Sequence, residues 1–231
     1  MFRGLVAKLG YRLAHRVRAI THAAGLGSPV LDLRGDRDIE WSWVAANLPK
    51  STGRVLDFGC GDSPLGLIAA RSGYKVTSID LQDITFLFEH PDLNFIRANI
   101  LSFDFSQQPF DVIINCSSIE HVGLKGRYGS PDVPDGDLEA MECLRGLLKS
   151  DGIMILTLPI GHDTVIRPLH RVYGLERLPR LLKGFTVRRK EFWIKNRENV
   201  WLQASESEAL SVVPTRSLYV IGLYVLQTAA P

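Results

Sequence analysis

Cysteine is scarce in this chain of 231 residues: Cys60, Cys116 and Cys143 are all there is. Any disulfide scheme leaves one of the three unpaired, and no two have the spacing of a metal-binding pair. A disulfide-framed secreted scaffold and a cysteine zinc site are therefore excluded, and a reducing, cytoplasmic compartment is the expectation. Long apolar runs are missing too. No stretch reaches the ~18 residues of a membrane span, and the first residues lack the apolar core and cleavage site of a signal peptide. An excess of one charge is also lacking, since Lys+Arg number 27 and Asp+Glu 25, for a net charge of +2. That balance gives no argument for a nucleic-acid partner. There is no internal repeat and no low-complexity segment. What the chain does have is a 45% hydrophobic composition, enough for one substantial domain that buries roughly 70% of its unfolded surface.

The start of the chain stands apart in charge. Before Asp32 the chain carries Arg3, Lys8, Arg12, Arg16 and Arg18 and no acid. Phe2, Leu5, Val6, Leu9, Leu13, Val17 and Ile20 fall on one helical stripe that the basic residues flank. Residues 1–28 are expected to be a basic amphipathic helix and a linker. That helix either lies on an anionic membrane surface or an acidic partner, or packs on the domain as an ordinary terminal helix. Residues 29–231 are expected to form the main domain.

The stretch that organises this domain is Val55-Leu56-Asp57-Phe58-Gly59-Cys60-Gly61-Asp62-Ser63-Pro64. An apolar strand breaks at Gly-x-Gly and restarts as a helix over residues 65–71, which places bare backbone amides against one small cavity. The second strand, Val76-Thr77-Ser78-Ile79, ends in Asp80. An acid at that point, about 20 residues past the glycines, is placed to accept the hydroxyls of a ribose. The chain thus carries the signs of a nucleoside-binding fold. A dinucleotide site would have a third glycine where Pro64 stands, and a triphosphate loop would need Gly-Lys-Ser/Thr, which is absent.

The Asp-Phe-Gly-Cys-Gly-Asp segment, with Asp80 behind it, resembles the first motifs of class I S-adenosylmethionine-dependent methyltransferases. The resemblance runs from about Glu40 to the C-terminus. It implies an α/β fold with a Rossmann-like, doubly wound seven-stranded sheet, mostly parallel, in the order 3-2-1-4-5-7-6. Residues 185–194 and 217–228 would form its C-terminal antiparallel hairpin. It also implies S-adenosyl-L-methionine as cofactor, held by Asp57, Gly59, Cys60, Gly61, Asp80, Leu81, Asn99 and Ser117. Many relatives carry Asp where Asn99 stands, accepting a bond from the adenine amino group. The helix over residues 36–48 often closes over the cofactor in this family. Glu40 and Trp43 would then touch it, unless the helix only packs on the domain.

The fourth strand, residues 110–116, runs out into Ser117-Ser118-Ile119-Glu120-His121. Ligands of doubly wound sheets sit at the carboxyl ends of the strands, so these side chains face the cofactor's surroundings. A loop over residues 123–136 follows, rich in Gly and Pro and holding Arg127 and Tyr128; a loop of that length in a compact domain is usually functional, and it is expected to be a lid. A helix over 137–149, N-capped by Asp135 or Asp137, and a fifth strand over 153–158 come next. Two further polar groups then follow, around His162-Asp163 and Pro168-Leu169-His170-Arg171-Val172-Tyr173-Gly174.

Methyl transfer to a hydroxyl requires alignment and a base that takes the proton, and histidine has a suitable pKa. His121 is the first candidate, His170 the second, and Glu120 a supporting carboxylate. Arg127, Tyr128, Arg171 and Tyr173 are the candidate acceptor-binding residues. The rival reading of either histidine is a purely structural one. No metal is expected, although some related enzymes hold magnesium through Glu-His at this strand end, where Glu120, His121 and Asp163 would be the donors. The sequence thus points to methylation of a small-molecule or glycan hydroxyl, with a non-catalytic binding module that meets a membrane or a complex as the alternative.

Overall fold

The computed structural model describes residues 36–231 apart from 87, 104–108, 127, 129–131, 197–199, 216–219 and 230–231. The expected basic helix over residues 1–22, its linker and Arg127 lie outside the described residues. The chain divides into two units, and the larger, residues 35–195 with 201–231, holds the architecture that follows.

Strand β1 (Gly53–Phe58) is buried along its last four residues because both faces of the sheet are covered. Val55 packs with Trp43, Leu65 and Ala69 on one face, while Leu56 packs with Met141, Leu144 and Leu181 on the other. Such a strand reads as a continuous apolar run rather than an alternation. Helices α1 (Asp36–Asn47) and α2 (Leu65–Arg71) supply the first layer, and α3 (Gly136–Gly146), α4 (Arg177–Leu181) and α5 (Glu206–Ser211) face the second. Strands β2 (Tyr74–Asp80) and β4 (Phe110–Cys116) pair in parallel with either side of β1, and β3 (Leu93–Arg97) extends the sheet beyond β2. Strand β5 (Leu148–Ile160) follows β4 in parallel. With β6 (Thr164–Ile166), β7 (His170–Val172), β8 (Phe185–Lys195), β9 (Trp201–Ala204) and β10 (Val220–Thr228), the main sheet runs β3-β2-β1-β4-β5-β10-β8-β9.

The parallel part and the C-terminal antiparallel part are as expected. The detail differs. The sheet has eight strands because β9 adds an outer edge through Ile194↔Leu202 and its neighbours. Helix α5 was also unforeseen, although its capping box, Ser205 with Glu208, is a signature readable in the sequence. The polar stretch after β5 is a two-stranded hairpin, β6 with β7. Helix α3 stops at Gly146 instead of Lys149, and β5 starts at Leu148 rather than Ile153. Phe110 pairs with Leu148 ahead of a bulge and draws the strand forward. Asp135 sits at the N-cap position of α3 without capping it; its carboxylate bonds Arg177 and Arg180 instead. Among the described residues no helix is long and apolar enough to cross a membrane.

Candidate active site

The turn after β1 is built by glycines in a backbone conformation that side chains rarely adopt. Gly59 (φ 63°) and Gly61 (φ 50°) lie in the left-handed region. A Cβ at Gly59 would overlap the Ser118 side chain, whose Oγ donates to the Gly59 carbonyl at 2.9 Å. A Cβ at Gly61 would meet only open space, which is the room a ligand needs against the main chain. The amides of Gly59 and Cys60 donate to the Ile79 carbonyl at 2.8 and 3.2 Å, tying the turn to β2. Asp80 completes the frame: Oδ2 accepts from Gly61 N at 2.9 Å and Oδ1 from Gln82 N at 2.8 Å. The close approach of helix to strand that a third glycine would serve falls at Gly66, where a Cβ would come within 2.7 Å of Ser78 Oγ and 3.0 Å of Asp57 Oδ2. Asp57 itself is buried beneath the turn, and burial pushes its carboxyl up to about 7.

Around this turn lies a cavity of about 340 Å³. Its wall brings together Asp57, Gly59, Cys60 and Gly61 from the turn, Asp80 and Leu81 from the end of β2, Asn99 after β3, and Ser117 after β4. The Asn99 amide oxygen also accepts from Leu101 N at 3.0 Å, so one lone pair of that oxygen is already used locally. Cys60 and Cys116 are buried in the wall, and burial pushes both thiols up.

His121 lines the same cavity. It closes a 3-10 turn (Ile119–His121) that follows β4 directly. Its Nδ1 stands 2.7 Å from the carbonyl of Leu169. A carbonyl only accepts, so Nδ1 carries the proton and the neutral ring keeps its lone pair at Nε2. That nitrogen is 3.7 Å from Glu120 Oε1. Glu120 is buried behind the wall, and burial pushes its carboxyl up to about 8. Tyr128 also lines the cavity, with its ring edge-on to His121 at 5.2 Å. The Tyr128 carbonyl accepts from Gln82 Nε2 at 3.0 Å, which joins the loop after β4 to the end of β2.

Four expected site residues stand elsewhere. Glu120 and His170 are buried and absent from the cavity wall, the His170 ring lying 6.4 Å from that of His121. Arg171 and Tyr173, expected to bind the acceptor, are corrected by the structure: both are fully buried and spent on internal bonds. The Arg171 guanidinium donates to the carbonyls of Val122 (2.5 Å), Val133 (3.3 Å) and Pro134 (3.2 Å) and pairs with Asp137 at 3.6 Å. The Tyr173 hydroxyl donates to Asp137 Oδ2 at 3.0 Å, and Arg177 closes on the same carboxylate. These residues staple both ends of the 123–136 loop. Asp163 is also consumed: it accepts the amides of Gly174, Glu176 and Arg177 at the start of α4. Among the described residues no group of three or more His, Cys, Asp and Glu is arranged to hold a metal.

Helix α1 supplies what the sequence reading missed. Arg37 and Trp41, one turn apart, line the cavity, whereas Trp43 belongs to the core. Glu40 is wholly buried behind the wall: it pairs with Arg37 Nη1 at 2.9 Å and accepts from the hydroxyls of Ser117 and Thr157. Burial pushes its carboxyl up against the pull of Arg37. The sequence shows only an acid three residues from an arginine, and nothing local to it says that the acid is buried.

This geometry has counterparts. YqeM of Bacillus subtilis, whose name gives it provisionally as a methyltransferase, is 27% identical over 50% of this chain and 46% of its own length. Rv3030 of Mycobacterium tuberculosis, named as a probable S-adenosylmethionine-dependent methyltransferase, is 27% identical over 64% of this chain and 58% of its own. The matches thus span about half the length of these relatives. The Burkholderia thailandensis 1,6-didemethyltoxoflavin-N1-methyltransferase, solved with 1,6-didemethyltoxoflavin and S-adenosylhomocysteine, superposes with a TM-score of 0.54 at 16% identity. That comparison covers 93% of this chain and 90% of the other, and it shows the fold: Rossmann-like, of the class I methyltransferase kind. A family profile matches residues 94–214, just over half of the chain, and the chain therefore belongs to the family described as Caenorhabditis protein of unknown function, DUF268.

Proposed function

We propose that this chain is an S-adenosylmethionine-dependent methyltransferase that methylates a hydroxyl of a small molecule or a glycan, with His121 as general base. The observation that carries the reading is the position of the His121 ring. It is fixed through Nδ1–H on the Leu169 carbonyl and lines the same cavity as Asp80.

The residues fit the cofactor. Asp80 stands where ribose hydroxyls would be accepted, the glycine turn leaves the main chain open, and Arg37 is the cation in the described wall for a carboxylate. A cavity of about 340 Å³ is at the small end of ligand sites, which suits an adenosyl compound with the reacting end of an acceptor. S-adenosylmethionine supplies an activated methyl group when bound. The protein then has to align the acceptor oxygen and receive its proton. His121 Nε2 receives it, and the imidazolium that results stands 3.7 Å from Glu120 Oε1. Tyr128 flanks the acceptor. A cytoplasmic location, with residues 1–22 resting on an anionic membrane surface, belongs to the same proposal.

The test is methyl transfer from labelled S-adenosylmethionine into extracted metabolites and glycans, alongside calorimetric titration with S-adenosylhomocysteine. His121→Gln should bind the cofactor product normally and lose about 10²–10⁴-fold in transfer, the usual worth of a positioned base. Full activity in that variant would remove the base. Tight binding with no transfer to any acceptor would favour a binding module.

A further inference from the structure

The strand end beneath the cavity is held in an unusual way. Ser117, the residue after β4, has φ 45° and is the non-glycine residue in the left-handed region among the described residues. A Cβ disfavours that conformation, so the surroundings must impose it. Two groups do so from opposite sides. The Ser117 amide donates to the carbonyl and hydroxyl oxygens of Thr157, at 3.0 and 3.1 Å. The Ser117 hydroxyl donates to Glu40 Oε1, which also accepts from Thr157 Oγ1 at 2.5 Å. The other Glu40 oxygen holds Arg37. One buried carboxylate on α1 therefore joins the ends of β4 and β5 to a cation in the cavity wall.

The chemistry of that node demands a carboxylate. All three partners are donors, so the group between them must accept at both oxygens. A glutamine would satisfy the two hydroxyls and turn an N–H₂ towards Arg37. The turn at Ser117 also governs what comes next, since Ser118 bonds the Gly59 carbonyl and His121 reaches the cavity four residues on.

We propose that Glu40 is a positioning residue for the ligand cavity, holding Ser117 in its left-handed turn and Arg37 at the wall. Glu40 does not line the cavity, yet the affinity of the site for an adenosyl ligand depends on it. This rests on the cofactor reading above.

The test is a double-mutant cycle read by calorimetric titration with S-adenosylhomocysteine and by melting of the ligand-free proteins. Glu40→Ala frees Ser117 from its hydroxyl acceptor and should weaken binding by about tenfold or more. Ser117→Gly takes up the positive φ without strain and should weaken binding only about threefold. The double variant should bind more tightly than Glu40→Ala, because glycine no longer needs Glu40 to hold it, yet more weakly than Ser117→Gly, because Arg37 still lacks its carboxylate. A double variant as weak as Glu40→Ala, or a Glu40→Ala that binds like the wild type, overturns the proposal. If the wild type does not bind S-adenosylhomocysteine, the cofactor reading fails, and the melting temperatures still decide. Recovery by Ser117→Gly of the stability lost in Glu40→Ala supports the role of Glu40 on Ser117, and no recovery overturns it. Glu40→Gln covers the case where Glu40→Ala does not fold. It keeps an acceptor for the hydroxyls but loses Arg37, so it should bind about tenfold more weakly; wild-type binding in that variant also overturns the proposal.

Discussion

Two polar clusters stand at the carboxyl ends of neighbouring strands, and they differ in what remains available. Around the glycine turn, Asp80 accepts from the backbone amides of Gly61 and Gln82 and lines the cavity with His121 and Arg37. Around Asp137, by contrast, Arg171, Tyr173 and Arg177 converge on one buried carboxylate and on loop carbonyls. The residue types are those of a binding site in both places. The first lines a cavity, while the second is spent on bonds within the protein. A buried charge whose every bond is internal is architecture, and here it pins the loop that carries Tyr128.

Three measurements would break or sharpen that contrast. The largest effect is expected for Arg171→Met, which strands the carbonyls of Val122, Val133 and Pro134 and breaks a buried ion pair. It should cost about 3–5 kcal/mol in denaturant unfolding. A variant of wild-type stability that loses only turnover would return Arg171 to the acceptor site. Tyr173→Phe should cost about 1–2 kcal/mol, the worth of one bond to a charged group that keeps Arg177. S-adenosylhomocysteine affinity, followed by titration, should stay unchanged.

The smallest effect is a pH dependence at Glu120. Its folded pKa is raised to about 8 by burial, so between roughly pH 4 and 8 the native state holds a proton that the unfolded chain has released. Stability contributed by this group therefore falls as pH rises through that window and is lowest above it. Glu120→Gln has no such loss. Across the single pH unit from 5.5 to 6.5 it should gain about 3–5 °C on the wild type, the shift for the ~1.4 kcal/mol that one unit is worth in a domain of this size, with no gain below pH 4. A constant difference across pH would mean that Glu120 is not buried as described.

Much of this was legible in the chain because local signals coincide with the fold. The buried run at Val55–Phe58, the Gly-x-Gly turn and Asp80 at a strand end each report one local constraint, and together they set the parallel half of the sheet. The residues that close the site come from farther away. Arg37 and Trp41 sit in a helix whose polar pattern reads as surface, and their role appears only when Glu40 is seen buried against Ser117 and Thr157. Arg171 and Tyr173 misled for the reverse reason, since burial and partners 34–51 residues distant are not local properties. Strand β9 was hidden because a four-residue edge strand is too short to show a period.

One contact has a consequence for how such a chain can vary. The carbonyl that fixes the His121 ring belongs to Leu169, in the bend between β6 and β7. That bend lies 48 residues downstream and next to Arg171, whose guanidinium holds the carbonyl of Val122. Lengthening or shortening the β6–β7 bend by a single residue would leave the sheet intact while removing the acceptor that dictates which imidazole nitrogen is protonated. The tautomer of the ring at the strand end is thereby set by the geometry of a small two-stranded ribbon, and relatives with a different ribbon would have to orient the ring by another group.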